Sequence, residues 1–369
     1  MFDDIRPYYD EEIPAAMQRI VADKYFPLVC QFLFPEKSLQ QMAALLGSCR
    51  TVDDFQSRFM YDAIRSVVNS TTDGLTTDGM ENLSPDLPYL FVSNHRDIVL
   101  DAAFLQVLLF DAGLPSSEIT FGANLMQGQL IIDVGRSNKM FRIERPTTVT
   151  SIRDFLYKTM YASEYIRYAI CQKKESVWIA QRNGRTKDGL DTTDQGIIKM
   201  FGLSGGDDKL QALSELNIVP LSISYEWEPC DQLKALELYA TTSGKPYVKK
   251  PGEDLNSILT GIRQPKGRVH LSVCEPIRKE ELESFADLSL SALNREVAKL
   301  LDRRIRKAYR LFPNNYIAAD LLAGTHSGLY TAAEEKRFID HVDTLTKDYP
   351  PEVREILLQI YANPVKAAL

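Results

Sequence analysis

Cysteine is scarce in this 369-residue chain: Cys30, Cys49, Cys171, Cys230 and Cys274 are odd in number, scattered, and never spaced as CxxC. That usage excludes a disulfide scaffold and a cysteine zinc site, and it fits a reducing compartment, so a cytoplasmic protein is expected. Long apolar runs are missing as well. The best, Pro27 to Phe34, contains Gln31 and falls far short of the roughly 18–20 residues that span a bilayer. Positive charge is in the minority, 43 basic against 50 acidic side chains, and the net charge of −7 excludes nucleic acid as a wholesale partner. The acidic opening MFDDIRPYYDEEIP has none of the marks of a signal peptide. What is plentiful is core material, with 44% hydrophobic residues, 16 Phe and 17 Tyr, so disorder is excluded as the main state.

The first seventy residues carry helical periodicity, through Ala15, Ile20, Val21, Tyr25 and Phe26, then Met42, Leu45 and Leu46. Thr51 with Asp53 and Asp54 reads as a helix start leading into Phe55, Phe59, Ile64 and Val67. The polar stretch Ser70–Leu87 reads as a linker. From Pro88 short apolar runs predict strands at Tyr89–Val92, Ile119–Phe121, Met140–Ile143, Val177–Ala180, Ile218–Ser224 and Val269–Val273. Helix-period stretches, notably Val99–Leu109 and Ile152–Ile170, lie between them. Such alternation predicts an α/β fold with a mixed, largely parallel sheet covered by helices. The organisation expected is a helical segment over 1–70, an α/β domain over 71–285 and a helical segment over 286–369.

The most informative stretch is Leu90-Phe-Val-Ser-Asn-His-Arg-Asp-Ile-Val-Leu-Asp101, where an apolar strand runs through a polar loop into a helix. Ligands of α/β sheets bind at the carboxyl ends of strands. His95 sits on such a loop, and Asp97 or Asp101 is able to accept from one ring nitrogen, fixing the tautomer and raising the basicity of the other. Asp97 serves equally well as a helix N-cap. Further on, Met140-Phe-Arg-Ile-Glu-Arg145 ends a strand in a basic residue, held extended by Pro146. Ser176-Val-Trp-Ile-Ala-Gln-Arg-Asn-Gly-Arg-Thr-Lys-Asp-Gly189 runs another strand into a polar loop. There Arg185 and Lys187 are anion-binding candidates, and Gly184 permits close backbone approach to a ligand. Two guanidiniums on strand ends suit a phosphate monoester better than a neutral sugar. In Asn217-Ile-Val-Pro-Leu-Ser-Ile-Ser224 the proline predicts an edge, a bulge or a strand start.

In order, these four stretches resemble the blocks of the glycerolipid acyltransferases, the glycerol-3-phosphate and lysophosphatidic acid acyltransferases with a His-x4-Asp signature. Asn94-His95-Arg96 with Asp101 resembles the first block. Gly122-Ala-Asn-Leu-Met through Gly135 to Phe141-Arg-Ile-Glu-Arg145 resembles the second, which ends in a phosphate-binding arginine. Ile179-Ala-Gln-Arg-Asn-Gly-Arg-Thr186 resembles the third, usually Phe-Pro-Glu-Gly-Thr-Arg-Ser, and Ile218-Val-Pro-Leu-Ser-Ile resembles the fourth. The similarity spans residues 88 to 225. It departs in two places: five residues rather than four separate His95 from Asp101, and Asn183 stands where the family has glutamate.

The resemblance implies that His95, oriented by Asp101 or alternatively Asp97, deprotonates an acceptor hydroxyl that attacks an acyl-CoA or acyl-carrier-protein thioester. Arg145, Arg185 and Lys187 would hold the phosphate of glycerol 3-phosphate or a lysophospholipid, with Asn94, Arg96, Asn183, Gly184 and Thr186 around them. Backbone donors near Asp97 are the expected oxyanion site. No metal and no cofactor beyond the thioester is implied. Peripheral membrane contact is expected through Tyr25–Phe34 or through the basic helix Arg303–Arg310. The alternatives are a non-catalytic lipid-binding relative and an enzyme acylating another hydroxyl, such as that of an N-acyl amino acid lipid. His270, His326 and His341 read as structural.

Overall fold

The computed structural model describes the chain apart from residues 146, 147, 150, 243, 245, 246 and 369 and the side chain of 368. Pro146, expected to hold Arg145 extended, thus lies outside the described residues. Seven strands form one sheet: β1 (Thr72–Asp78), β2 (Leu90–Ser93), β3 (Glu118–Gly122), β4 (Met140–Ile143), β5 (Val177–Ala180), β6 (Ile218–Tyr225) and β7 (Gly267–Val273). Their order is β1-β7-β6-β2-β5-β3-β4. Every pairing is parallel except β6 with β7. The fold is therefore α/β with a mixed, mostly parallel sheet. Parallel sheets need both faces covered, which is why β2 and β6 are buried at every position.

One face packs against helices Ile152–Arg167, Gln195–Leu203 and Leu290–Ala308, through Ile166, Phe201 and Leu301 among others. The other packs against Tyr61–Thr71 and Leu100–Asp111, through Val67, Phe104 and Leu105. The amino-terminal helices close a core of their own around Met17, Leu46 and Phe55. The carboxy-terminal helices do the same around Ile317, Phe338 and Leu357. No described helix is long and apolar enough to cross a membrane.

Two expectations are corrected. Part of the supposed linker Ser70–Leu87 is strand β1, whose side chains are half-buried or exposed. Its β-branched Thr72, Thr76 and Thr77 pair in parallel with β7 at the sheet edge, where a polar face is tolerated. Pro220 lies inside β6, an interior strand. Its carbonyl accepts from the Cys274 N–H at 3.0 Å, so its missing donor points to the β7 side, one residue beyond the end of that strand. Only half of a final rung is lost there.

Candidate active site

Four loops leaving the carboxyl ends of β2, β3, β4 and β5 meet at a cavity of about 800 Å³. Of the residues singled out in the sequence, His95, Arg145, Asn183, Gly184, Arg185 and Lys187 line it. Apolar side chains from the helices behind the sheet, including Phe155, Leu156, Met160, Met200 and Leu203, form the rest of its wall.

His95 Nδ1 lies 2.9 Å from Asp101 Oδ2. The same oxygen accepts the backbone N–H groups of Arg96, at 2.6 Å, and Asp97, at 3.0 Å. Asp101 is 1% exposed, so these donors replace the water that its carboxylate has lost. His95 Nε2 has no hydrogen-bond partner among the described residues, and the ring faces the cavity, edge-on to Trp178 with centroids 5.8 Å apart.

Asp97, the alternative partner, does something else. Its Oδ1 accepts from the N–H of Val99 at 2.9 Å and of Leu100 at 2.8 Å, capping the helix Leu100–Asp111. Asp97 Oδ2 is buried without a partner, against the Cα of Gly261, where a Cβ would collide with it. Burial, and then the charge of Asp101, push its carboxyl pKa up. Of the backbone donors near Asp97 that were expected to face an oxyanion, those of Arg96, Asp97, Val99 and Leu100 are engaged by these carboxylates, while Ile98 lines the cavity.

Arg145 follows β4 and lies beside the end of β3. A Cβ on Gly122 would stand 2.8 Å from its Nε, so the glycine is what admits the guanidinium. Burial, opposed by Asp254 and reinforced by the charge of Arg185, lowers the Arg145 pKa. Arg185 Nη1 is buried without a hydrogen-bond partner. Among the described residues neither arginine forms a salt bridge: Asp254 instead binds Lys249 and Asn124. Two neighbouring guanidiniums without a salt bridge among the described residues, although Asp254 and Asp97 act on them, make this end of the cavity a candidate anion site. Lys187 does not share that freedom, since it is ion-paired with Glu237.

Asn94, Arg96 and Thr186 do not line the cavity; they hold its floor in place. Arg96, fully buried, pairs with Asp191 at 2.6 Å and Glu228 at 3.2 Å. Although burial opposes it, those two carboxylates raise its pKa and keep it charged. Thr186 donates from its N–H to the His95 carbonyl at 2.7 Å and from its hydroxyl to Asp191 at 2.9 Å. The Asn94 amide donates to the Ile223 carbonyl at 3.0 Å and accepts from the Ile223 N–H at 2.7 Å, adding a side-chain rung where β2 has ended.

The sequence reading missed Tyr225, whose hydroxyl donates to Asp101 Oδ1 at 2.7 Å. A tyrosine ending a buried aliphatic strand was the available signal, because a buried phenol needs a partner. The other histidines tie elements together. His270 lies between Thr76 and Asp78, His326 meets Tyr330, and His341 binds Asp231 beside Tyr361.

Fold and site together define an α/β protein with a His–Asp pair and an arginine cluster at the strand ends. No family model matches the sequence, and no curated protein matches it. Among solved structures the chain is similar to the 1-acyl-sn-glycerophosphate (LPA) acyltransferase PlsC from Thermotoga maritima, at 14% identity and a TM-score of 0.38, over 78% of this chain and 92% of that one.

Proposed function

We propose that the protein is an O-acyltransferase that moves a fatty acyl group from an acyl thioester to a hydroxyl of glycerol 3-phosphate or lysophosphatidic acid. One observation carries this reading: a histidine whose Nε2 has no partner among the described residues, backed by a buried aspartate, shares a partly apolar cavity with two guanidiniums that form no salt bridge among those residues. The motif order in the sequence supports it.

In this mechanism Asp101 holds the His95 Nδ1–H, and Nε2 takes the proton of the acceptor hydroxyl. The oxygen attacks the thioester carbonyl, the C–S bond breaks, and the imidazolium returns its proton to the departing thiolate. No acyl-enzyme forms. Arg145 and Arg185 bind the acceptor phosphate, and holding both substrates in line supplies the orientation part of the rate. Asn183, uncharged where the resembling family has glutamate, is left to hydrogen-bond the acceptor. The donor is acyl-CoA or an acyl carrier protein, and no cofactor or metal enters.

A lysolipid acceptor brings the protein to a membrane surface. Of the two expected docking segments, the basic helix has Arg304 committed to Glu281 and Arg306 to Asp191 and Thr192, which leaves Arg303 and Lys307 exposed. Helix Phe26–Leu33 leaves Leu28, Val29 and Phe32 exposed, so we assign peripheral contact to it.

The deciding experiment is thiol release from palmitoyl-CoA, and then from palmitoyl-acyl carrier protein, with each acceptor, comparing wild type with His95→Ala. Acceptor-dependent release that the variant loses is the expected result. Silence with both donors and both acceptors sinks the reading. It would favour the non-catalytic relative or a different acceptor hydroxyl.

A further inference from the structure

Strand β6 is longer than its neighbour β2: the parallel register ends with Ser93 opposite Leu221, while β6 continues to Tyr225. The overhang is held over the loop Asn94–Val99 by the two bonds between Asn94 and the backbone of Ile223. Two residues further on, on the same face, Tyr225 reaches Asp101. The carboxylate then has its two oxygens divided between two tasks. Oδ2 takes His95 and two backbone donors, and Oδ1 takes the tyrosine.

We infer that Tyr225 is a positioning residue for the His95–Asp101 pair, and that its hydrogen bond tunes how strongly His95 holds a proton. The inference rests on the proposed role of His95 as base, but its central test does not need turnover. A phenol donating to Oδ1 draws electron density from the carboxylate and weakens its pull on the imidazolium. It also fixes the carboxylate plane, so that Oδ2 meets Nδ1. Burial, and then the charges of Asp101 and Asp97, hold the Tyr225 pKa far above its ordinary value, so the hydroxyl stays a donor throughout the working pH range.

The other groups around this pair are fixed in kind. Asp97 and the N–H of Arg96 lie on the same loop, Trp178 packs from β5, and Arg185 comes from the loop after β5. The charge of Glu228 acts on Tyr225, and the Tyr309 hydroxyl meets the Tyr225 backbone. None of them donates to Asp101 Oδ1 among the described residues, so the tyrosine has no understudy.

The experiment is an NMR titration of the full chain labelled with 15N-histidine, with His95 assigned by its loss in His95→Gln. Neutral His95 in the wild type is expected as the Nδ1–H tautomer. In Tyr225→Phe its pKa is expected to rise by about half a unit to one unit, roughly a three- to tenfold change in proton affinity, while His270, His326 and His341 titrate as before. Site-specific 3,5-difluorotyrosine at position 225, a stronger donor, should shift it the other way and serves if the phenylalanine variant does not fold. An unchanged His95 titration in either variant overturns the inference. If acyl transfer is present, the acid limb of its pH–rate profile should move with the NMR value. A shifted titration in a protein that transfers no acyl group would uphold the tyrosine's role and discard the substrate. Activity with an unshifted titration would do the reverse.

Discussion

Arg145 lies against the Cα of Gly122, close enough that a single methyl group at position 122 would meet its guanidinium at 2.8 Å. The backbone angle of Gly122 is ordinary, so the glycine is there for space. Gly122→Ala should displace Arg145 and raise the KM for a phosphate-bearing acceptor while leaving kcat within a few-fold. Kinetics across an acceptor series, with and without phosphate, check this. An alanine variant that discriminates as wild type does would show that the space at Gly122 does not set the position of Arg145.

Arg145→Ala and Arg185→Ala test the anion site directly. A charge-assisted hydrogen bond contributes about 1.5–3 kcal/mol, so each change should weaken phosphate-bearing acceptors by roughly 10- to 100-fold. Lys187→Ala should weaken them much less, because Glu237 already neutralises that lysine. Calorimetric binding of glycerol 3-phosphate to the three variants separates them, and equal losses in all three would refute the assignment.

Asp101→Asn should cost about 10²–10⁴-fold in rate, the span typical of a positioned general base. Asp97→Asn should retain most of the activity, since its Oδ1 caps a helix and an asparagine oxygen caps equally well. The ratio of kcat values for the two variants is the measurement. A larger loss at position 97 would make Asp97 the functional carboxylate.

Asp97 also makes a pH prediction. Its carboxyl pKa is raised in the folded protein, by burial first and by Asp101 second. The protein therefore binds that proton more tightly folded than unfolded. The associated stability is fully present below the unfolded value of about 3.9 and is lost as pH rises through the folded value. Asp97→Asn removes this penalty, so its Tm relative to wild type should climb between pH 4 and 7. Thermal melts across that range check it, and a flat difference would exclude the linkage.

Arg96 is a stability residue with two buried carboxylates as partners. Arg96→Met leaves Asp191 and Glu228 with less compensation, which in comparable sites costs about 3–5 kcal/mol. Lys234, which also binds Glu228 at 2.6 Å, should keep the loss toward the lower end. Denaturant unfolding reads this directly.

Much of the architecture was legible because it is local. The strands β2, β5 and β6 are predominantly apolar runs, and a run of that kind must be buried on both faces of a sheet wherever it pairs. That His95 follows a strand and precedes a helix was equally plain, and so was the arginine at the end of β4. What local pattern did not contain was partnership. Strand β1 is polar, and it becomes a strand only by pairing with β7 some 190 residues later. Pro220 is tolerated in an interior strand because its missing donor falls just past the end of β7. Asn94 and Arg96 flank His95 in sequence, yet their side chains turn to Ile223 and to Asp191 with Glu228.

The sequence by itself determined which residue types stand at the strand ends, and hence that a histidine and two guanidiniums are available. Only the tertiary structure decided which carboxylate holds His95. Asp97 and Asp101 are both within reach of His95 along the chain, and burial is the same for both. The choice falls to Asp101 because Asp97 is drawn to the bare N–H groups that begin the next helix, and because Tyr225, 124 residues away in the chain, supplies Asp101 with its fourth donor.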